Sequence, residues 1–414
     1  MGPGAVTASS QPVGVAATAN TSTRLVRYTD VTLVPAPDTN SVFAGWSGDA
    51  DCDDGAVVMT ADRTCAASFV TMLPQPASAG ALDFNGDGGA DILAYDPQNG
   101  AWTEALGNRQ GAFGAIAGTW SPEWSIHAAS FNVDRLTDLF FYNRTTGAWY
   151  TGINNGAGGF SYTGGTWSPG WHVSILDLDG DGMSDVFVYN PANGHWYQCF
   201  HSGGTFFYAG GLWSPAWQVH PVKLNADALD DVFVYNPSSG RWYRCANDGM
   251  GGFSYTGGEW SSGWDVTRGE FDGDGLSDLF VYDPVTGRWY LCLSDGAGFR
   301  YLSGTWSAGW TVRGRDFNGD GIDDLFVYND ADGHWYECRN DGAGGFTYFA
   351  GTWSPGWSVS VTDFDGDHRS DVFVYNETTG RWYQCLNVGP GVFTYAAGSW
   401  DPALRVIARI HKSP

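Results

Sequence analysis

Carboxylates stand at the first, third, fifth and ninth places of Asp177-Leu178-Asp179-Gly180-Asp181-Gly182-Met183-Ser184-Asp185. Oxygens set this densely suit a hard cation of the calcium type, which gathers about six to eight of them from carboxylates, carbonyls and water. Gly180 and Gly182 permit the sharp turns that draw them together. Standing once, such a stretch would be a solvated acidic turn. It recurs, however, in the same register from Asp83, Ser130, Asp177, Lys223, Glu270, Asp316 and Asp363, in steps of 47, 47, 46, 47, 46 and 47 residues. A fixed period of roughly 40–50 residues is the mark of a propeller or solenoid.

Short strands must hold these loops. In the third repeat, residues 171–176 read as a strand running into the loop and 185–189 as a second. Asn190-Pro191-Ala192-Asn193-Gly194 supplies turn chemistry, and 195–200 and 205–208 read as third and fourth strands. Four antiparallel strands repeated seven times predict an all-β fold, a seven-bladed β-propeller over residues 81–414. Of the 21 tryptophans, all but Trp46 fall at three blade positions: the third strand (Trp102 to Trp382), before the inter-blade turn (Trp120 to Trp400) and after it (Trp124 to Trp357). Large rings at fixed places fill the wedge between blades. Cys199, Cys245, Cys292, Cys338 and Cys385 share one third-strand position, too far apart for bridging, and read as buried thiols acting as small hydrophobes. For ring closure, 404–410 competes or cooperates with Gly80-Ala81-Leu82 for the first-strand place in blade one.

Composition narrows the function classes. A formal charge of −25 with two lysines, Lys223 and Lys412, disfavours nucleic acid, whose phosphates need a basic face. No apolar run is long enough to span a membrane. Met1-Gly2-Pro3 does not begin a signal peptide; acidic calcium loops nonetheless suit a calcium-rich compartment, so the expected location is secreted or cell-surface.

Residues 1–72 lie outside the period, with 73–80 as a linker. Residues 31–34 alternate as a strand, and Pro35-Ala36-Pro37-Asp38-Thr39-Asn40 reads as a turn. Cys52 and Cys65, 13 apart, suit a disulfide in an oxidising compartment, two free thiols being the alternative. The run Phe43-Ala44-Gly45-Trp46-Ser47-Gly48, the cysteine pair, Met59-Thr60-Ala61-Asp62 and Ala67-Ser68-Phe69 resembles the small β domain of bacterial surface proteins related to the internalin B-repeat. That resemblance implies a β-grasp-like spacer or attachment module.

The repeated D-x-[DN]-x-D-G-x-x-D followed by [LV]-F-V-Y resembles the FG-GAP/VCBS repeat over residues 80–410. That family builds the propeller of integrin α-subunits and of a mushroom N-acetylglucosamine-binding lectin. The resemblance implies calcium held by side chains at places one, three, five and nine and by the carbonyl at place seven. Carried over, the ligands are Asp83, Asn85, Asp87, Gly89 and Asp91; Asp177, Asp179, Asp181, Met183 and Asp185; Glu270, Asp272, Asp274, Leu276 and Asp278. To these add Asp316, Asn318, Asp320, Ile322 and Asp324, then Asp363, Asp365, Asp367, Arg369 and Asp371. Repeat two starts with Ser130 and lacks the glycines; repeat four puts the Lys223 ammonium where the ion would sit and is expected to hold none.

Loops alternate between two rims of an antiparallel blade. The rim opposite the aspartate loops presents Trp171 with His195, Trp217 with Arg241, Trp264 with Arg288, Trp310 with His334 and Trp357 with Arg381. A ring beside a multidentate donor suits a sugar, whose C–H face stacks while its hydroxyls take hydrogen bonds. Packing of the tryptophan against its own blade is the competing reading. His127, His220 and Arg313 break the repeat at one inner-strand register but lie on non-adjacent blades without an acidic partner. No sialidase box or catalytic carboxylate pair is present. The expectation is therefore a non-enzymatic, multivalent lectin with glycan ligands, a cell-surface glycoprotein among the partners. An integrin-like adhesion module and a polysaccharide-acting enzyme are the rivals.

Overall fold

The computed structural model describes residues 4–10, 14–17, 30–37, 41–49, 52, 56–71 and 82–407. The chain forms two compact units, 1–79 and 80–414.

In the first unit Gly14–Ala17, Gly4–Ser10, Asp30–Pro37 and Ala56–Val58 pair in that order as one antiparallel sheet, and Ser41–Gly48 pairs with Cys65–Thr71. Cys52 and Cys65 are disulfide-bonded, their Cα atoms 5.6 Å apart. Residues 35–37, read as the start of a turn, instead continue a strand. They pair with Gly4–Val6 on one side, while Ala56–Val58 on the other side reaches only Asp30–Thr32. Residues 38–40 and the linker 73–80 lie outside the described residues.

The second unit is a ring of seven four-stranded antiparallel sheets. Blade three shows the pattern: His172–Leu176, Asp185–Tyr189, His195–Ser202 and Thr205–Leu212, the last two longer than the sequence suggested. First strands touch in succession from blade two to blade four and from blade five to blade seven, which puts them innermost. Closure uses both chain ends. Arg405–Ile407 pairs with Leu93–Tyr95 of blade one in the innermost place, and Leu82 bridges Asp91 beside it; Gly80, Ala81 and residues 408–410 lie outside the described residues.

Second strands are buried throughout because both their faces meet a neighbouring blade. In blade three Val186, Val188, Trp171 and Cys199 face blade two, while Phe187, Tyr189 and Trp196 face blade four. The strand's two-residue alternation makes that division. It also explains the thiols: Cys199 fills a small gap against the preceding blade, and burial pushes its pKa up, away from reactivity. Each third-strand tryptophan lies across a glycine of the fourth strand; a Cβ at Gly351 would sit 2.1 Å from the Trp335 ring.

Neighbouring blades are clasped at the aspartate-loop rim. The amide at place eight donates to the carbonyl at place one of the preceding blade, as Ser184 to Ser130 at 2.6 Å and Ser277 to Lys223 at 2.7 Å. The same residue's side chain accepts the place-one amide in return, as Ser184 Oγ from Ser130 and Ser277 Oγ from Lys223, both at 2.8 Å. At the opposite rim Tyr189 donates its hydroxyl to the Ser214 carbonyl and accepts the Trp217 amide.

Candidate metal loops and inter-blade grooves

Within the aspartate loop most carboxylates already organise backbone. Asp177 accepts the amides of Gly180 and Gly182 at 2.7 and 2.9 Å, Asp179 accepts that of Asp181, and Asp181 that of Met183. The ninth carboxylate spans further: Asp185 accepts the amide of Leu178 at 2.9 Å and that of His201, on the third strand, at 2.6 Å. Blades two and four do the same. Asp138 takes Phe131 and Asn154, and Asp231 takes Leu224 and Asn247, although Ser130 and Lys223 replace the leading carboxylate there. Place nine is thus a backbone staple in its own right, which explains why an aspartate stands there in every blade.

Among the described residues, three groups of carboxylates meet closely enough to hold one ion, with oxygens within 4.8 Å of one another: Asp177, Asp179 and Asp185; Glu270, Asp272 and Asp278; Asp363, Asp365 and Asp371. In the loops starting at Asp83 and Asp316 place three is Asn85 or Asn318, whose amide oxygen would be the donor. The fifth place stands apart from the three groups, and in blade seven Arg369 pairs with Asp367. The carboxylates are costly as they stand. Burial, with neighbouring carboxylates adding, pushes Asp185 and Asp278 up to about 7 and Asp371 to about 8. Asp177 is pushed up to about 6 chiefly by burial. An all-oxygen set of desolvated anions fits a hard divalent cation, which would offset that cost. In blade four the Lys223 ammonium acts on Asp230, whose pKa burial raises and this charge lowers.

The opposite rim carries a groove between blades. Trp260, ending blade four, donates its indole N–H to the Tyr301 hydroxyl of blade five at 3.1 Å. Trp264 stands edge-on to Tyr290 at 5.5 Å, and Tyr290 to Tyr301 at 6.4 Å. Together with Ser261, Val281 and Cys292 these four rings line a cavity of about 170 Å³. The indole-to-phenol bond recurs at Trp120–Tyr162, Trp167–Tyr208, Trp213–Tyr255, Trp306–Tyr348 and Trp353–Tyr395. Each comes with its own edge-on pair, from Trp124–Tyr150 to Trp357–Tyr383. At the seventh junction Thr103 and Ala115 replace the tyrosines and the set is missing.

The candidate ligand residues read from sequence differ in exposure. Trp171, Trp217, Trp264 and Trp310 are buried, so they wall a groove and do not offer an open face; Trp357 is half-buried. His195, Arg241, Arg288, His334 and Arg381 are exposed, two residues before the groove tyrosine on the same strand face, and His334 is paired with Asp332. Blade two, which has Ala148 where those blades have a base, also carries a complete ring set, so the ring set occurs six times. The third- and fourth-strand tyrosines that line the groove were not singled out from the sequence, although both recur at fixed register, in Trp-Tyr and in Phe-x-Tyr. His127 is hydrogen-bonded to Ser125, and Arg313 donates to the carbonyls of Val312 and Val359.

Residues 316–400 match the family of FG-GAP-like repeats. No curated protein sequence matches the chain. An Agrocybe aegerita lectin that specifically recognises non-reducing terminal N-acetylglucosamine aligns with a TM-score of 0.60 at 15% identity, over 76% of this chain and 91% of that one. A Lactobacillus plantarum protein aligns with a TM-score of 0.55 at 12% identity, over 77% and 99%. A candidate 6-phosphogluconolactonase of Bacteroides fragilis aligns with 0.52 at 10%, over 78% and 98%. Identities this low carry the fold and not the activity. The chain is a seven-bladed β-propeller whose residues 316–400 match FG-GAP-like repeats.

Proposed function

We propose that this propeller is a secreted or cell-surface lectin, stabilised by calcium, that binds glycans without turning them over. The observation that carries the reading is the set of four aromatic rings that recurs at six junctions and encloses a groove between blades four and five. Its lining between blades four and five is uncharged, with hydroxyls at Ser261 and Tyr301 and an apolar floor of Trp264, Val281 and Cys292. Such a lining suits a neutral pyranose, with C–H groups or an acetamido methyl on the rings and hydroxyls at the rim. The fold shared with a lectin for terminal N-acetylglucosamine supports the same ligand class. Equivalent weak sites on a rigid ring gain strength through multivalency. Calcium serves as a structural ion, its binding energy adding to folding energy.

A glycan array in the presence of calcium, followed by titration calorimetry, tests this. Neutral, N-acetylated glycans are expected to bind, and Tyr301→Ala should remove one site while leaving the others intact. An array that stays silent with calcium present overturns the reading. Loss of all binding on changing one blade would instead point to adhesion through a single patch.

A further inference from the structure

We infer that Arg109 is the latch that closes the ring between blades seven and one. It lies in the hairpin joining the third and fourth strands of blade one, at a backbone φ of 60°. Blades two, four, five and six have Gly156, Gly249, Gly296 and Gly342 at that place, with φ between 67° and 80°. A side chain in this left-handed conformation is strained, so what keeps it must return more than the strain.

The return is visible in its contacts. The Arg109 Nε donates to the Asp365 carbonyl at 2.8 Å, and Nη2 to the Gly366 carbonyl at 3.1 Å, both in the aspartate loop of blade seven. Nη1 donates to the Asp87 carbonyl at 3.1 Å in the loop of blade one. One guanidinium therefore spans two loops from opposite ends of the ring, with charge-assisted bonds.

The surroundings are fitted to it. Place seven is Gly89 in blade one, where other blades carry Leu136, Met183, Leu229, Leu276, Ile322 and Arg369. A Cβ on Gly89 would meet the Phe364 carbonyl oxygen of blade seven at 2.7 Å and the Arg109 stem at 2.9 Å, so a larger residue would disturb both the close approach of the two loops and the arginine. This junction also lacks the place-eight side-chain tie found at other junctions and a second tie found at four of them, His201 and Ser294 standing at that second place in blades three and five. Ala90 keeps the amide bond to the Asp363 carbonyl at 2.9 Å but has no side-chain oxygen to return it. Gly107 stands where Asn154, Asn247, Asn340 and Asn387 reach back to a carbonyl of the preceding blade. Arg109 replaces both missing ties.

Hydrogen exchange read by mass spectrometry on full-length Arg109→Gly tests the assignment. Glycine already occupies the place in other blades, so the hairpin should fold. With a latch lost, amides in 83–95 and 363–375 are expected to exchange roughly tenfold faster. Those in 177–189 and 224–235 should be unchanged, and Tm should fall. Arg109→Ala, which keeps the strain without the guanidinium, should show the same local effect and a lower Tm still. Unchanged exchange at this junction with a raised Tm, the sign expected if glycine merely relieves strain, overturns the proposal. Acceleration spread evenly around the ring does so too.

Discussion

Asp177 and Asp230 clasp blades three and four reciprocally: the Asp230 amide donates to the Asp177 carbonyl at 2.7 Å, and the Asp230 carboxylate accepts the Asp177 amide at 2.8 Å. One residue thus contributes a carboxylate of the candidate metal loop and both backbone partners of a joint between blades. Loop order and ring integrity are therefore coupled.

Removing the side-chain half of that clasp should be measurable by calorimetry. Asp230→Ala leaves the Asp177 amide without its acceptor and is expected to cost about 1–2 kcal/mol. Asp230→Ser places a hydroxyl where Ser184, Ser277 and Ser370 stand in other blades and should recover most of the loss. Equal Tm values for the two variants would count against the clasp.

Place-nine and place-one carboxylates should respond differently to chelation. Asp231→Ala strips the acceptor from the amides of Leu224 and Asn247 in a loop expected to hold no ion. It should destabilise by about 2–4 kcal/mol, equally in calcium and in EDTA. Asp177→Asn should mainly reduce the extra Tm that calcium confers on the parent protein. A melting curve of the parent that EDTA leaves unmoved would dismiss the metal role.

Glu104 offers a pH test away from the metal loops. It is buried on the third strand of blade one, with one carboxylate oxygen unpartnered, and burial pushes its pKa up from 4.5 to about 7. The folded state thus holds this proton where the unfolded chain has released it. The contribution is fully present below about pH 4.5 and is lost as pH rises through about 7. Glu104→Gln should therefore stabilise the protein above pH 7, by on the order of 2–3 kcal/mol. The gain should shrink towards pH 4.5, as denaturant melts of both proteins across this range would report.

Gly351 tests the packing of the inter-blade tryptophans. A methyl there would overlap the Trp335 ring, and Gly351→Ala is expected to lower stability by about 1–3 kcal/mol. Gly88, whose added Cβ meets nothing within 4 Å but whose φ is 82°, gives the comparison. Its alanine variant should show only the smaller cost of backbone strain.

Much of this architecture is local in origin and so could be read along the chain. The 46–47-residue step, the carboxylates at places one, three, five and nine and the alternating Val-Phe-Val-Tyr run each declare an element whose residues are near neighbours in sequence. Blade number, strand order, the two rims and the buried thiols follow from them. What the period could not express is contact across a junction. Trp260 and Tyr301, 41 residues apart, form a groove only once two wedges close on each other. Asp185 could look like a pure metal ligand until Leu178 and His201 were brought to it. Arg109 and Asp365, separated by 256 residues, meet because the ring closes end to end. The sequence by itself determined a seven-fold array of aspartate loops, because those patterns act over a few residues. The tertiary structure alone decided which rings face one another and what latches the last junction, because those contacts exist only after the curvature of each blade has summed to a full turn.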